Sequence, residues 1–223
     1  FNNATEYSRV IYMGFLAGLV PSAPGFSHQA VTDVGIMSSI PGMRVFEPSC
    51  GEELQWSITQ ALAHEGPSYI RVGGLSPAPR AQSVKGYLTE RRVGGDGAFV
   101  ASGPLLTLAA LDAAEILERE SGLEVSVYTT PEICGDPDSS ALEILSKADP
   151  LTVLENHNPC LAKFEVLSRA MPERDGLVHR VGIIGVPANG QPGEVMEFHG
   201  LDAESLVRRF LDAQSTLSDK LTH

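Results

Sequence analysis

Short apolar runs alternate with longer stretches of helical spacing along nearly all of this sequence, and that alternation constrains the fold more than any other feature. Val10 to Met13 reads as a continuous apolar strand, of the kind parallel sheets bury on both faces. Ser27 follows as an N-cap for a helix predicted to run to about Ile40. Val31, Val34, Met37 and Ile40 stand three apart within it, and Pro41-Gly42 stops it. Arg44 to Glu47 is the next predicted strand and Glu52 to His64 the next helix, with Glu52 and Glu53 at the positive end of its dipole. Tyr69 to Val72 closes the unit as a strand. Strands joined in this way need crossover connections, so the sheet they form is parallel.

Two glycine-rich stretches, GGLSPAPR from Gly73 to Arg80 and VGGDG from Val93 to Gly97, interrupt the pattern and read as a linker with a hairpin-like excursion. Beyond them the alternation resumes. Ala98 to Ser102, Leu123 to Thr129, Leu151 to Glu155 and Val178 to Ile184 are predicted strands. Predicted helices run from Pro104 to about Arg119, Ser140 to Lys147, Leu161 to Ala170 and Ala203 to Ala213. Pro104 suits a first helical turn, where its missing N–H costs nothing. The expected class is α/β: two domains, residues 1–75 and 98–223, with mainly parallel sheets flanked by helices, joined by a linker over 76–97.

A net charge of −12 argues against nucleic acid and anionic membrane surfaces as partners, because both would repel the chain. The apolar run from Val10 to Val20 is too short to cross a bilayer, which takes about 20 apolar residues. Cys50, Cys134 and Cys160 are odd in number and in no C-x-x-C pattern, as expected of free thiols in a reducing, cytoplasmic setting. The chain opens at Phe1 without an initiator methionine, as a processed chain or a fragment would.

The candidate site centres on Gly25-Phe26-Ser27-His28-Gln29, a glycine-led loop that carries one histidine to a predicted helix start. A lone loop histidine is more often a surface residue than a catalytic one. Here, however, the segment resembles the second half of the pyrimidine-binding domain of transketolases and 1-deoxyxylulose-5-phosphate synthases, where the loop reads approximately G-P-T-H-Q. The resemblance extends through Ala17-Gly18-Leu19, Asp33, the run from Ile36 to Met43, Phe46-Glu47-Pro48 and Gly66 to Arg71. In the second half, Ala101-Ser102-Gly103, Leu154-Glu155-Asn156-His157 and Gly200-Leu201-Asp202-Ala203 resemble that family's C-terminal domain.

The resemblance implies a C-terminal section of a thiamine diphosphate enzyme, of the kind found as the small subunit of a split transketolase. His28 would be the catalytic group, Ser27, His28 and Gln29 would face the cofactor, and Leu16, Phe26 and Arg71 would line the substrate cleft. Leu16, Pro24 and Gly74 stand where many transketolases carry a histidine, an aspartate and an arginine that bind substrate. Since none of the three can grip a phosphate dianion, the resemblance implies a substrate other than an ordinary sugar phosphate, unless a partner chain supplies the binding group.

The diphosphate and Mg²⁺ would be held mainly by a partner domain or large subunit, in a dimer or heterotetramer acting on a ketose or 2-oxo acid. No metal ligand is assigned to this chain. Gly95-Asp96-Gly97 is set aside as a metal motif because it lies in the linker. The rival expectations are a 2-oxo acid dehydrogenase beta subunit, a decarboxylating carboligase and a non-catalytic assembly subunit.

Overall fold

The computed structural model describes residues 2–73, 77–84, 86–158, 163–174 and 177–221. Gly74, Cys160 and Leu161, each named above, lie outside the described residues. A single turn, α1 (Asn2–Thr5), precedes the first sheet, built from β1 (Ile11–Ala17), β2 (Arg44–Phe46) and β3 (Ser68–Gly73). Helices α2 (Asp33–Ser38) and α3 (Gly51–Ala63) make the crossovers. The order is β1-β3-β2 and both pairings are parallel, with Ile11 and Arg44 each opposite Ser68.

The second sheet contains β4 (Thr89–Arg92), β5 (Ala98–Ala101), β6 (Ser126–Thr129), β7 (Leu151–Glu155) and β8 (Val178–Gly182). Its order is β4-β6-β5-β7-β8, parallel throughout except that β4 runs antiparallel to β6. Strand β4 thus lies inside the segment 76–97 and is hydrogen-bonded to this sheet. Around the sheet stand α4 (Gly103–Ser121), α5 (Ser139–Ser146), α6 (Lys163–Ala170), α7 (Pro192–His199) and α8 (Ala203–Leu221). Among the described residues no helix is long and apolar enough to cross a membrane.

Alternation along β5 explains why this sheet is covered twice. Phe99 and Ala101 join one core with Leu106, Leu117, Leu206 and Phe210, and Ala98 and Val100 join another with Leu145, Leu151 and Leu167. The Phe99 and Phe210 rings sit 5.3 Å apart. Ala110, Ala113 and Ala114 give α4 a small-residue face within the first of these cores, and Gly122 ends α4 at φ 68°, the left-handed cap that glycine adopts without strain.

The two sheets are stitched together where β2 meets the segment that follows β6. Ile133 donates its N–H to the Val45 carbonyl, Glu47 donates to the Pro131 carbonyl, and Arg44 reaches both carboxylate oxygens of Glu132 at 2.8 and 2.7 Å. Such a bidentate pair adds geometric specificity as well as attraction.

Three local expectations are corrected. The helix predicted from Ser27 to Ile40 is a 3₁₀ turn (Phe26–His28), an extended stretch, and then α2 with Thr32 at its N-cap position. Tertiary contacts override the helical spacing, because Gly18 pairs with Ala30 in a β-bridge and Val31 packs into the core of the second sheet while Val34 packs into that of the first. Helix α7 was not expected, although Pro192 in its first turn and the Gln191–Glu194 capping box are readable start signals.

Strand β1 is not covered on both faces. Tyr12, Met13, Phe15 and Leu16 are all exposed, and β1 pairs only with β3 among the described strands.

Candidate functional site

Gly25 begins the turn at φ 96°, a left-handed value that a side chain would strain. The His28 N–H then closes on the Gly25 carbonyl at 2.9 Å and the Gln29 N–H on the Phe26 carbonyl at 3.3 Å. This tight turn lifts Phe26, Ser27 and His28 into solvent. The Ser27 hydroxyl lies 3.1 Å from His28 Nδ1, a contact it can make as donor or as acceptor, which leaves Nε2 without a protein partner among the described residues.

Gln29 points the other way and is buried. Its Nε2 donates to the Leu19 carbonyl and to the Ala188 carbonyl, both at 3.0 Å. The Ser22 hydroxyl donates to the Gly190 carbonyl at 2.8 Å, and the Asn158 N–H to the Val31 carbonyl at 2.6 Å. The turn is therefore held by loops that follow β7 and β8 of the other sheet.

Arg71, on β3, is wholly enclosed. Its Nε donates to Asp33 Oδ2 at 2.9 Å and its Nη1 to Glu47 Oε1 at 2.7 Å. Its Nη2 donates to the carbonyls of Ala30 at 2.6 Å and Asn156 at 2.9 Å. Burial works against the guanidinium charge, but Glu47 and Asp33 outweigh it and hold the pKa above its ordinary value. The Tyr69 hydroxyl also donates to Asp33 Oδ2 at 2.8 Å, and burial together with the Asp33 charge pushes its pKa up.

Leu16 is the other unusual position. A register shift between Phe15 and Ala17 turns it out of the β1 ladder at φ 57°, with the residue 56% exposed. A branched apolar residue held in the left-handed region is a strained arrangement, and such strain concentrates at ligand clamps and active sites.

Of the residues singled out by sequence, Phe26, Ser27, His28 and Leu16 present side chains to solvent, whereas Gln29 and Arg71 turn inward and tie the backbone that carries them. Asn156, Ala188 and Gly190 were not foreseen as supports of the turn. Asn156 stood out only as part of the Leu154–His157 resemblance, and the other two act through main-chain carbonyls, which leave no trace in side-chain identity.

These groups suit the reacting end of a bound ligand. They do not suit a diphosphate, for no lysine or arginine occurs between Arg9 and Arg44 and Arg71 is already engaged. Among the described residues no group of three or more His, Cys, Asp or Glu is placed to hold a metal ion. A cavity of about 580 Å³ between Tyr7, Pro41, His64 and Pro67 lies at the amino ends of β2 and β3, away from His28. Ligands of open α/β sheets bind at the opposite, carboxyl ends.

No family model matches the chain. It is 37% identical over 133 residues to the 6-deoxy-6-sulfo-D-fructose transketolase subunit SqwH of Clostridium sp. (strain MSTE9), covering 54% of this chain and 41% of that protein. It is 26% identical to an apulose-4-phosphate transketolase subunit of Actinobacillus succinogenes, covering 81% of this chain and 60% of that one. A solved split-gene transketolase, described as an inactive beta4 tetramer, superimposes with a TM-score of 0.76 at 28% identity, over 92% of this chain and 67% of its own. The chain spans 41% and 60% of the length of the two curated relatives.

Proposed function

We propose, from a chain that is a relative of transketolase subunits and has the fold of a split-gene transketolase chain, that it forms part of an enzyme transferring a two-carbon ketol unit. The observation that carries this reading is an exposed imidazole on a short turn anchored by buried hydrogen bonds on its inner side. A proton-transfer group must be accessible and carried on a fixed backbone, and the turn gives His28 both.

When bound, thiamine diphosphate supplies the electron sink that ketol transfer requires. His28 would hold or move the proton at the substrate hydroxyl oxygen, with the Ser27 hydroxyl hydrogen-bonded to its Nδ1. Leu16 and Phe26 would give the cleft an apolar wall and exclude water. Gln29 and Arg71 would act from beneath, by placing the turn. With Leu16 and Pro24 beside it in sequence, the cleft suits a ketose bearing something other than an ordinary phosphate, and the relative named for a sulfonated fructose is in keeping with that.

The same proposal places residues 1–75 in a pyrimidine-binding domain, 76–97 in a linker and 98–223 in a C-terminal domain, with β4 of the linker docked on the second sheet. The open faces of β1 support a first domain completed by further residues. The diphosphate and Mg²⁺ would come with a partner domain or large subunit, in a cytoplasmic dimer or heterotetramer.

The test combines the chain with the diphosphate-binding partner, thiamine diphosphate, Mg²⁺, a ketose donor and an aldose acceptor. Ketol transfer that needs both proteins is expected. Release of CO₂ from pyruvate without ketol transfer, or no turnover and no cofactor binding in the complex, would overturn the reading.

A further inference from the structure

Strand β7 ends at Glu155, and the next residue reaches across to the other sheet. Asn156 Oδ1 accepts the Leu19 N–H at 2.9 Å in a buried hydrogen bond. Its main-chain carbonyl accepts from Arg71 Nη2, which also donates to the Ala30 carbonyl. Gly18 and Ala30 are bridge partners, so Asn156 grips both sides of the pairing that closes the loop carrying His28.

The grip is close. Gly18 adopts φ 106°, and a Cβ built there would lie 2.4 Å from Asn156 Nδ2, inside any tolerable contact. The Leu19 peptide is pinned at both ends, its N–H by Asn156 and its carbonyl by Gln29. Two routes therefore run from Asn156 towards His28. One passes through Leu19 to the side chain of Gln29, next to His28 in sequence, and the other through Arg71 to Ala30, two residues beyond it. Buried polar links of this kind have defined directions, and losing one partner leaves a peptide group unsatisfied unless the backbone moves.

We infer that Asn156 is a positioning residue for His28, through which the second sheet sets where the imidazole stands. This rests on the proposed role of His28, and it gives the C-terminal half of the chain a part in the chemistry although none of its side chains belongs to the proposed site.

The test uses the assembled enzyme. Asn156→Ala removes the acceptor for the Leu19 N–H and is expected to lower kcat by about a hundredfold, the order that a misplacement of about 1 Å costs, with little change in the donor KM. Asn156→Asp keeps an oxygen in place and should restore most of the rate. In a His28→Ala background, Asn156→Ala should cause no further loss, because it acts through the group already removed. Additive losses, or a kcat unchanged by Asn156→Ala, would overturn the inference.

A readout independent of turnover separates this inference from the functional reading. Asn156→Ala should speed hydrogen exchange at the Leu19 amide and shift the His28 imidazole resonances. An inert wild-type complex would overturn the proposed function, whereas unmoved His28 resonances would overturn the positioning role. Should Asn156→Ala fail to fold, Asn156→Ser, too short to reach Leu19, is read by the same measurements.

Discussion

Arg71 Nη1 donates to Glu47 Oε1 at 2.7 Å, and both side chains are shut away from solvent. Two carboxylates serve this one guanidinium, with Asp33 on its other side. Removing one partner of an enclosed ion pair costs more than the pair contributes, because the remaining charge stays desolvated. Glu47→Gln, which keeps the shape and removes the charge, is expected to destabilise the protein by about 3 kcal/mol. Urea denaturation followed by circular dichroism would show it, and a loss below about 1 kcal/mol would mean that Asp33 alone compensates Arg71.

His28→Ala separates activity from folding. The ring is exposed and its side-chain partner is the adjacent Ser27, so stability should change by no more than about 0.5 kcal/mol. Turnover in the assembled enzyme should fall by about 10²- to 10⁴-fold, the range for loss of a proton-transfer group. Turnover close to that of the unsubstituted enzyme would remove His28 from the mechanism.

Gly18→Ala should be among the more damaging single-methyl changes in the chain. It combines a backbone held at φ 106° with a Cβ only 2.4 Å from Asn156 Nδ2. Backbone strain alone costs on the order of 1–3 kcal/mol, and the clash must displace Asn156 besides. A thermal midpoint within about 2 °C of the parent would contradict the tight fit at this position.

His199 makes stability depend on pH. Its Nε2 accepts the Ala188 N–H at 3.1 Å, which requires the neutral ring, and burial lowers its pKa below the ordinary 6.5. The unfolded chain therefore takes up this proton first as pH falls. The stabilisation is fully present above the unfolded value of about 6.5 and is lost progressively as pH drops towards the lowered folded value. Because the Ala188 carbonyl anchors Gln29, the loss should loosen the His28 turn as well. His199→Gln can keep an acceptor without titrating, so its denaturation midpoint should fall less than the parent's between about pH 7.5 and pH 5.5. Equal falls in the two proteins would locate the pH sensitivity elsewhere.

Much of the second sheet was legible because β5 and β7 are short and mainly apolar and because the α4 helix carries a clear start signal. Phe99 to Ala101, Leu151 to Leu154 and the Pro104 helix needed no distant information. The stretch after Ser27 misled because a period of three among Val31, Val34 and Met37 suits a helix face, whereas the fold sends Val31 into one core and Val34 into another. Strand β4 escaped notice because Thr-Glu-Arg-Arg has no apolar alternation, and only its pairing with β6 makes it a strand. At the site, the glycine-led turn and its histidine could be read locally. Its supports could not, because Leu19 meets Asn156 and Gln29 meets Ala188 across well over a hundred residues of intervening chain.

The exposed β1 strand is a place where copies of this chain can meet. Phe15 is 69% exposed and Tyr12 and Met13 stand out beside it, on a strand whose outer edge still has hydrogen-bonding groups to offer. An apolar edge of that sort recruits whatever strand meets it first, including the same strand of another copy. If, as proposed, further residues or a partner cover β1, synthesis out of step with that cover would feed self-association, a liability set by four side chains on one ribbon.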